Sequence, residues 1–119
     1  METPASPNPK QNRILAGLAT NEFARLQDDL ELVNLKLGAE LCDAGDTMDY
    51  VYFPITCIVS LTFTTRTGAS VELAMIGNEG LVGMPLVLGG ATTNHRVVVQ
   101  SPGAAYRLKV EVIRWELDQ

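Results

Sequence analysis

The stretch from Ile58 to Ile76 limits the fold more than any other part of the chain. Ile58–Thr64 alternates strictly, with Val59, Leu61 and Phe63 on one face and Ser60, Thr62 and Thr64 on the other. Thr65-Arg66-Thr67-Gly68 follows as a short turn, with glycine where a hairpin wants it. Ser70–Ile76 then runs back, with Val71, Leu73 and Met75 on one face and Glu72 opposite. This is the pattern of an antiparallel hairpin with one apolar side.

The segments around it are short and closely punctuated. Met1–Gln11 is polar, carries Pro4, Pro7 and Pro9, and is expected to be a flexible tail. Asn12 is placed to cap a short helix bearing Ile14, Leu15 and Leu18. Thr20 reads as a second N-cap, with Glu22 early in the turn where an acid suits the helix dipole. Phe23, Leu26 and Leu30 follow at helical spacing, which predicts a helix over Asn21–Asp28. The period then becomes alternating through Leu30, Leu32, Val33, Leu35 and Leu37, up to Gly38.

Further strands are predicted at Glu40–Asp43, Tyr50–Phe53, His95–Gln100 and Ala104–Leu108. Ala44-Gly45-Asp46 is a turn, and Pro54 stops the third strand because proline has no ladder donor. Gly77-Asn78-Glu79-Gly80 breaks the sheet before the apolar stretch Leu81–Leu88, in which Pro85 suits the first turn of a short helix, and Gly89-Gly90 ends that stretch. From Val110 a helical period returns through Ile113 and Leu117, and Trp115 reads as a packing residue at the start of a connecting helix.

Many short strands at this spacing indicate a sandwich or barrel, and the helix at each end makes it α+β by count. The chain has 119 residues, 46% of them hydrophobic, which suits one domain that buries roughly two-thirds of its unfolded surface. The expected organisation is a tail over 1–11, a β-rich domain over 12–109, and a C-terminal helix over 110–119 that stops about two turns in.

Charge and residue counts exclude several classes of function. The net charge is −5 and the nine Lys and Arg are scattered singly, so no basic stripe for nucleic acid is present. No apolar run approaches the ~20 residues of a spanning helix, and a soluble, cytoplasmic protein is expected. Cys42 and Cys57 do not form a Cys-x-x-Cys pair and are expected to be reduced, buried thiols. His95 is the one histidine, which argues against a cupin-like metalloenzyme or a catalytic triad. No catalytic residue and no metal site is assigned.

Several phrases are more specific. Asp49-Tyr50-Val51-Tyr52-Phe53-Pro54 with Ile58-Val59-Ser60-Leu61 resembles the third and fourth strands of Crp/Fnr-type sensor domains. Gly77-Asn78-Glu79-Gly80-Leu81-Val82-Gly83 resembles the insert of one branch of that family, and Arg96–Ser101 with Ala105–Leu108 completes the likeness. It covers roughly Asn12 to Gln119. The resemblance implies a double-stranded, jelly-roll-like β-roll of the cyclic-nucleotide-binding-like type. It also implies a regulatory sensing role, with DNA read only by a longer parent chain.

In nucleotide-binding members a Gly-Glu pair, an apolar turn and an arginine hold the cyclic phosphate and the ribose. Here Gly83 stands at the glycine and Met84 at the ribose-binding acid. Arg96 lies within one residue of the phosphate arginine, with His95 beside it and Leu86 in the apolar turn between. A thioether cannot accept a ribose hydroxyl as a carboxylate does. Loss of such a bond forfeits about 1.5–3 kcal/mol, so tight binding of cyclic AMP is not expected.

The candidate ligand residues are therefore Gly83, Met84, Leu86, His95 and Arg96, supported by the loop Gly77, Asn78, Glu79 and Gly80. Two readings of the glycines stand: an anion nest, or tight turns around a short helix. Glu79 is either a helix cap, a partner of Arg96, or an exposed turn acid. Alternation places Val97 and Val99 on one face and Arg96, Val98 and Gln100 on the other, without saying which face is inward. A cyclic nucleotide or another small anionic effector, and a homodimer, are compatible partners. The alternative to a regulator's sensor is a stand-alone binding or interaction β-roll with a degenerate pocket.

Overall fold

A computed structural model describes residues 7–43, 48–83 and 95–117. Among these residues the chain forms a 3-10 turn at Pro9–Gln11, then helices α1 (Arg13–Ala16) and α2 (Thr20–Gln27). Seven strands follow: β1 (Glu31–Leu35), β2 (Glu40–Cys42), β3 (Tyr50–Pro54), β4 (Ile58–Thr64), β5 (Ser70–Ile76), β6 (Arg96–Ser101) and β7 (Gly103–Lys109). Helix α3 (Val110–Leu117) closes the order.

The strands divide into two antiparallel sheets, β1-β7-β3 and β2-β6-β4-β5. The chain crosses from one sheet to the other between β1 and β2, β2 and β3, β3 and β4, and β6 and β7. This is the jelly-roll-like arrangement expected from the sequence, and the two sheets share one core. Val51, Phe53, Tyr106 and Leu108 come from the first sheet, and Cys42, Val59, Val97 and Val99 from the second. Leu15 and Phe23 of the N-terminal helices and Val82 ahead of the insert are also buried.

The β4–β5 hairpin has the predicted boundaries but not the predicted burial. Phe63, Val71, Leu73 and Met75 are between 42% and 52% exposed. Two features explain this. Among the described residues β5 is an outer strand that pairs with β4 alone, and β6 covers β4 only from Ile58 to Thr62. A register shift between Leu61 and Thr62 also breaks the strict alternation, so Leu61 faces Ala74 while Thr62 faces Glu72. Burial is concentrated at Val59 and Ser60, where strands lie on both sides, and the Ser60 hydroxyl donates to Glu72 at 2.8 Å.

Two expectations for the N-terminal region need correction. Residues 7–11 of the predicted tail are structured: Asn8 caps the 3-10 turn, and the Tyr106 hydroxyl donates to the Pro7 carbonyl at 3.0 Å. The Lys10 ammonium also lies 5.0 Å from the Phe23 ring centroid. Pro9, which helps suggest a loose tail in the sequence, instead stands at the first position of this short helix, where its fixed φ suits the turn. Thr20 is the first residue of α2 and not its cap; Ala19 is the cap residue, and the Glu22 carboxylate accepts the Ala19 amide at 3.0 Å. The glutamate reaches back far enough to satisfy that donor without a cap side chain.

Asn12 caps α1 as expected, its Oδ1 accepting the amides of Ile14 and Leu15. The C-terminal helix starts at Val110, whose amide donates to the Asp49 carbonyl. Val110 is buried, Val112 and Ile113 are half-buried, and Trp115 is exposed. An ion pair between Arg25 and Glu116 at 2.9 Å joins α2 to α3. The predicted turn at Ala44-Gly45-Asp46 lies outside the described residues, as do Met84, Leu86 and the apolar stretch around them.

Candidate functional site

The candidate site is framed by the turn at Gly77–Gly80, the bridge residue Val82, and the start of β6. The turn closes on itself: the Gly80 amide donates to the Gly77 carbonyl at 3.2 Å, and the Gly77 amide donates to a Glu79 carboxylate oxygen at 3.0 Å. Of the readings left open by the sequence, Glu79 is the exposed turn acid, bound to its own turn. Its pKa is held below the ordinary value, first by the Gly77 amide, then by its own amide, with Arg13 adding attraction. Asn78 and Gly80 face the N-terminal segment. The Arg13 amide donates to the Asn78 carbonyl at 2.8 Å, and the Asn12 Nδ2 donates to the Gly80 carbonyl at 2.9 Å.

Val82 then locks to β3. Its amide donates to the Tyr52 carbonyl and its carbonyl accepts the Tyr52 amide, at 2.9 and 3.0 Å. Gly83 follows at φ +111, a region that L side chains rarely adopt. A Cβ at Gly83 would lie 3.3 Å from a Val51 methyl and 3.5 Å from the Val51 Cα. The glycine therefore lets the chain turn away while lying against the sheet. Val82 and Gly83 thus lie against β3, where the expected insert begins. Met84 and Leu86 lie beyond that entry, outside the described residues.

At the other side of the insert, β6 settles the question of faces. Val97 and Val99 are buried, whereas Arg96 and Gln100 are exposed and Val98 is half-buried. Arg96 thus projects from the outward face, where its Nε donates to Glu40 of β2 at 3.0 Å. Its side chain is half exposed, and the hydrogen bond to Glu40, with the attraction of that carboxylate, raises its pKa further. His95 is half-buried just ahead of the strand. The structure brings the Gly77–Gly83 elements together on β3, and it engages Arg96 with Glu40 on the second sheet.

A cyclic phosphate held tightly needs a cation free to meet it. Arg96 is already opposed by the Glu40 carboxylate on the outward face of its sheet, and Met84 lies outside the described residues. No group of three or more His, Cys, Asp or Glu residues that could hold a metal occurs among the described residues.

Two features are not evident from the sequence. Asn12 is fully buried and bonds well beyond its own helix, which a cap signal does not reveal. Arg107 forms a cross-strand array on the first sheet: its guanidinium lies 4.1 Å from the Tyr50 ring centroid and its Nε donates to Glu31 at 3.0 Å. Burial alone would lower its basicity, but the bonds to Glu31 and Tyr52 outweigh burial and raise it. A single arginine in an apolar strand was the available sequence signal. An open depression of about 460 Å³ beside α3 is lined by Asp29, Lys109, Glu111, Val112 and Trp115, none of them a candidate ligand residue of the sequence reading.

Comparison with known proteins agrees with this frame. The model of the cyclic nucleotide-binding domain family matches residues 32–119. The sensor domain of the transcriptional regulator DNR from Pseudomonas aeruginosa superposes with a TM-score of 0.76 at 16% identity, covering 92% of this chain and 74% of that one. The N-terminal domain of a transcriptional regulator from Streptomyces coelicolor A3(2) gives 0.75 at 22% identity, covering 92% and 77%. A regulatory subunit of a cAMP-independent protein kinase A from Trypanosoma brucei gives 0.77 at 18% identity, covering 92% of this chain but only 39% of that subunit. The chain likewise spans 49% of the longer DNR chain. No curated protein sequence matches.

Proposed function

The chain belongs to the cyclic nucleotide-binding domain family, and from that premise we propose that it is the effector-sensing domain of a Crp/Fnr-type transcription regulator whose effector is not a tightly held cyclic nucleotide. The effector is a small molecule that binds beside β3, where the Gly77–Gly83 segment lies against Val51 and Tyr52. DNA is read by a further domain of a longer parent protein, since the net charge of −5 leaves this chain no basic stripe for phosphates.

The observation that supports the finer part is the placement of Arg96: Val97 and Val99 fill the core, and the guanidinium stands on the outward face of the second sheet beside Glu40. A phosphate reaching Arg96 there meets the Glu40 carboxylate within hydrogen-bonding distance, and the family resemblance aligns Met84 with the position of the ribose-binding acid. The relatives support the regulatory half of the reading: two of them are named as parts of transcriptional regulators, and a third as a regulatory subunit of a protein kinase.

A thermal-shift panel of cyclic AMP, cyclic GMP, cyclic di-GMP and common metabolites tests it. A ligand present at about 100 times its Kd adds about 2.7 kcal/mol of stability, which is readily seen. The expected result is no shift with micromolar cyclic nucleotide and a shift with another metabolite. A clear stabilisation by micromolar cyclic AMP refutes the effector assignment. A salt-dependent affinity of this chain for duplex DNA refutes the assignment of DNA reading to another domain.

A further inference from the structure

Asn12 has no exposed surface and makes four hydrogen bonds. Two are the cap: Oδ1 accepts the Ile14 amide at 3.0 Å and the Leu15 amide at 3.3 Å. The other two leave the helix altogether. Nδ2 donates to the Pro54 carbonyl at the end of β3 and to the Gly80 carbonyl in the turn that opens the insert, both at 2.9 Å. The full capacity of a carboxamide is thereby used, two acceptor sites and two donors.

Capping alone does not explain this residue. Serine, threonine or aspartate supplies a cap oxygen equally well. The double donor is what asparagine adds, and both of its bonds go to segments more than forty positions away. Neighbouring contacts run along the same line. The Arg13 amide donates to the Asn78 carbonyl at 2.8 Å, and the Asn78 Nδ2 reaches the Gln11 carbonyl at 3.4 Å. Beyond Gly80 only Leu81 precedes Val82, which is fixed to Tyr52 by a pair of backbone bonds. The backbone of the N-terminal helical segment, the end of β3 and the entry to the insert therefore meet at one buried amide.

The geometry points to Asn12 as a positioning residue that couples the N-terminal helices to the entry of the effector segment. Its cap half holds α1, and its donor half holds the Gly77–Gly80 turn in place. A shift at the turn strains the α1 cap, and loss of α1 frees the turn. By linkage, an effector bound at the insert and order in the N-terminal segment then change each other's equilibrium by the same factor. The link to an effector rests on the sensing role proposed above; the mechanical coupling does not.

Amide hydrogen exchange on the full chain, with no effector added, tests the coupling separately from ligand binding. Asn12→Ser keeps a cap oxygen but removes the double donor; Asn12→Ala removes both. With Asn12→Ser, exchange at Ile14 and Leu15 is expected to stay near that of the parent, while exchange at Gly80 and Val82 rises roughly tenfold, the factor that corresponds to about 1.4 kcal/mol. With Asn12→Ala both groups loosen. If Asn12→Ser leaves Gly80 and Val82 unchanged, or Asn12→Ala loosens only the α1 amides, the coupling is overturned. If either Asn12 variant does not fold, the exposed Asn78→Ala is read instead. It removes only the Nδ2 link to Gln11, and faster exchange at the Arg13 amide supports the coupling, whereas unchanged exchange there refutes it.

Discussion

Replacing Gly103 by alanine should destabilise the domain by an amount that can be worked from local distances. Gly103 begins β7, directly behind the connection between β3 and β4. An added Cβ would lie 2.5 Å from the Thr56 Oγ1 and 2.7 Å from both the Thr56 carbonyl carbon and the Cys57 amide nitrogen. Carbon contacts become favourable near roughly 3.5 Å, so the backbone at 56–57 would have to retreat by about 0.8 Å. That backbone is not free to move. The Ala104 amide donates to the Thr56 Oγ1 at 2.8 Å, and the Ile55 and Thr56 amides both donate to the Ala104 carbonyl. Overpacking of this kind costs about 1–3 kcal/mol. A lost hydrogen bond adds about 0.5–1.5 kcal/mol. Together these give about 1.5–4.5 kcal/mol, a large share of the 5–15 kcal/mol typical of a domain.

Urea unfolding followed by circular dichroism measures the effect. The midpoint should fall while the slope stays constant, because the surface exposed on unfolding is unchanged. Gly17→Ala is the control. Gly17 sits at the end of α1 with φ −81, and a Cβ there would lie 3.4 Å from the Arg13 carbonyl oxygen. Alanine should be accepted there, with a change within about 0.5 kcal/mol or a small gain. A loss below about 1 kcal/mol for Gly103→Ala would show that β7 does not press on residues 56–57 as described.

Three other outcomes follow from the same contacts. Glu79 has a lowered pKa in the folded chain, so its contribution is complete above its ordinary value of 4.5 and is lost as pH falls through the lower folded value. The parent should melt above Glu79→Gln near neutral pH and converge with it in acid; a difference independent of pH contradicts the Gly77–Glu79 bond. Arg96→Gln should leave the urea midpoint nearly unchanged, and any small difference should shrink at high salt, because both partners are substantially exposed; a large, salt-insensitive drop would place Arg96 in a buried network. Burial raises the Cys57 thiol pKa and outweighs the backbone hydrogen bonds that lower it, and Cys42 is also buried, so neither should react with a thiol reagent until the protein unfolds; rapid labelling of the folded chain would refute that placement.

The sequence by itself determined the element order and the position of the hairpin. Ile58–Thr64 and Ser70–Ile76 begin and end where alternation and the Gly68 turn put them. These are local properties: the period of apolar residues, the conformational freedom of glycine and the cap chemistry of Asn12 act over a few neighbours. The Crp/Fnr-like phrases likewise indicated the roll before any sheet was assembled. What local signals did not contain is which surfaces meet. Val71, Leu73 and Met75 look like a core face in the sequence but remain exposed, because burial depends on whether another strand lies over them. Arg96 could have faced either way until the burial of Val97 and Val99 set the inward face of β6 and left the guanidinium to Glu40. Asn12 shows the same division within one side chain. Its oxygen serves residues two and three positions on and is readable as a cap, while its nitrogen serves Pro54 and Gly80, whose proximity exists only once the chain has folded.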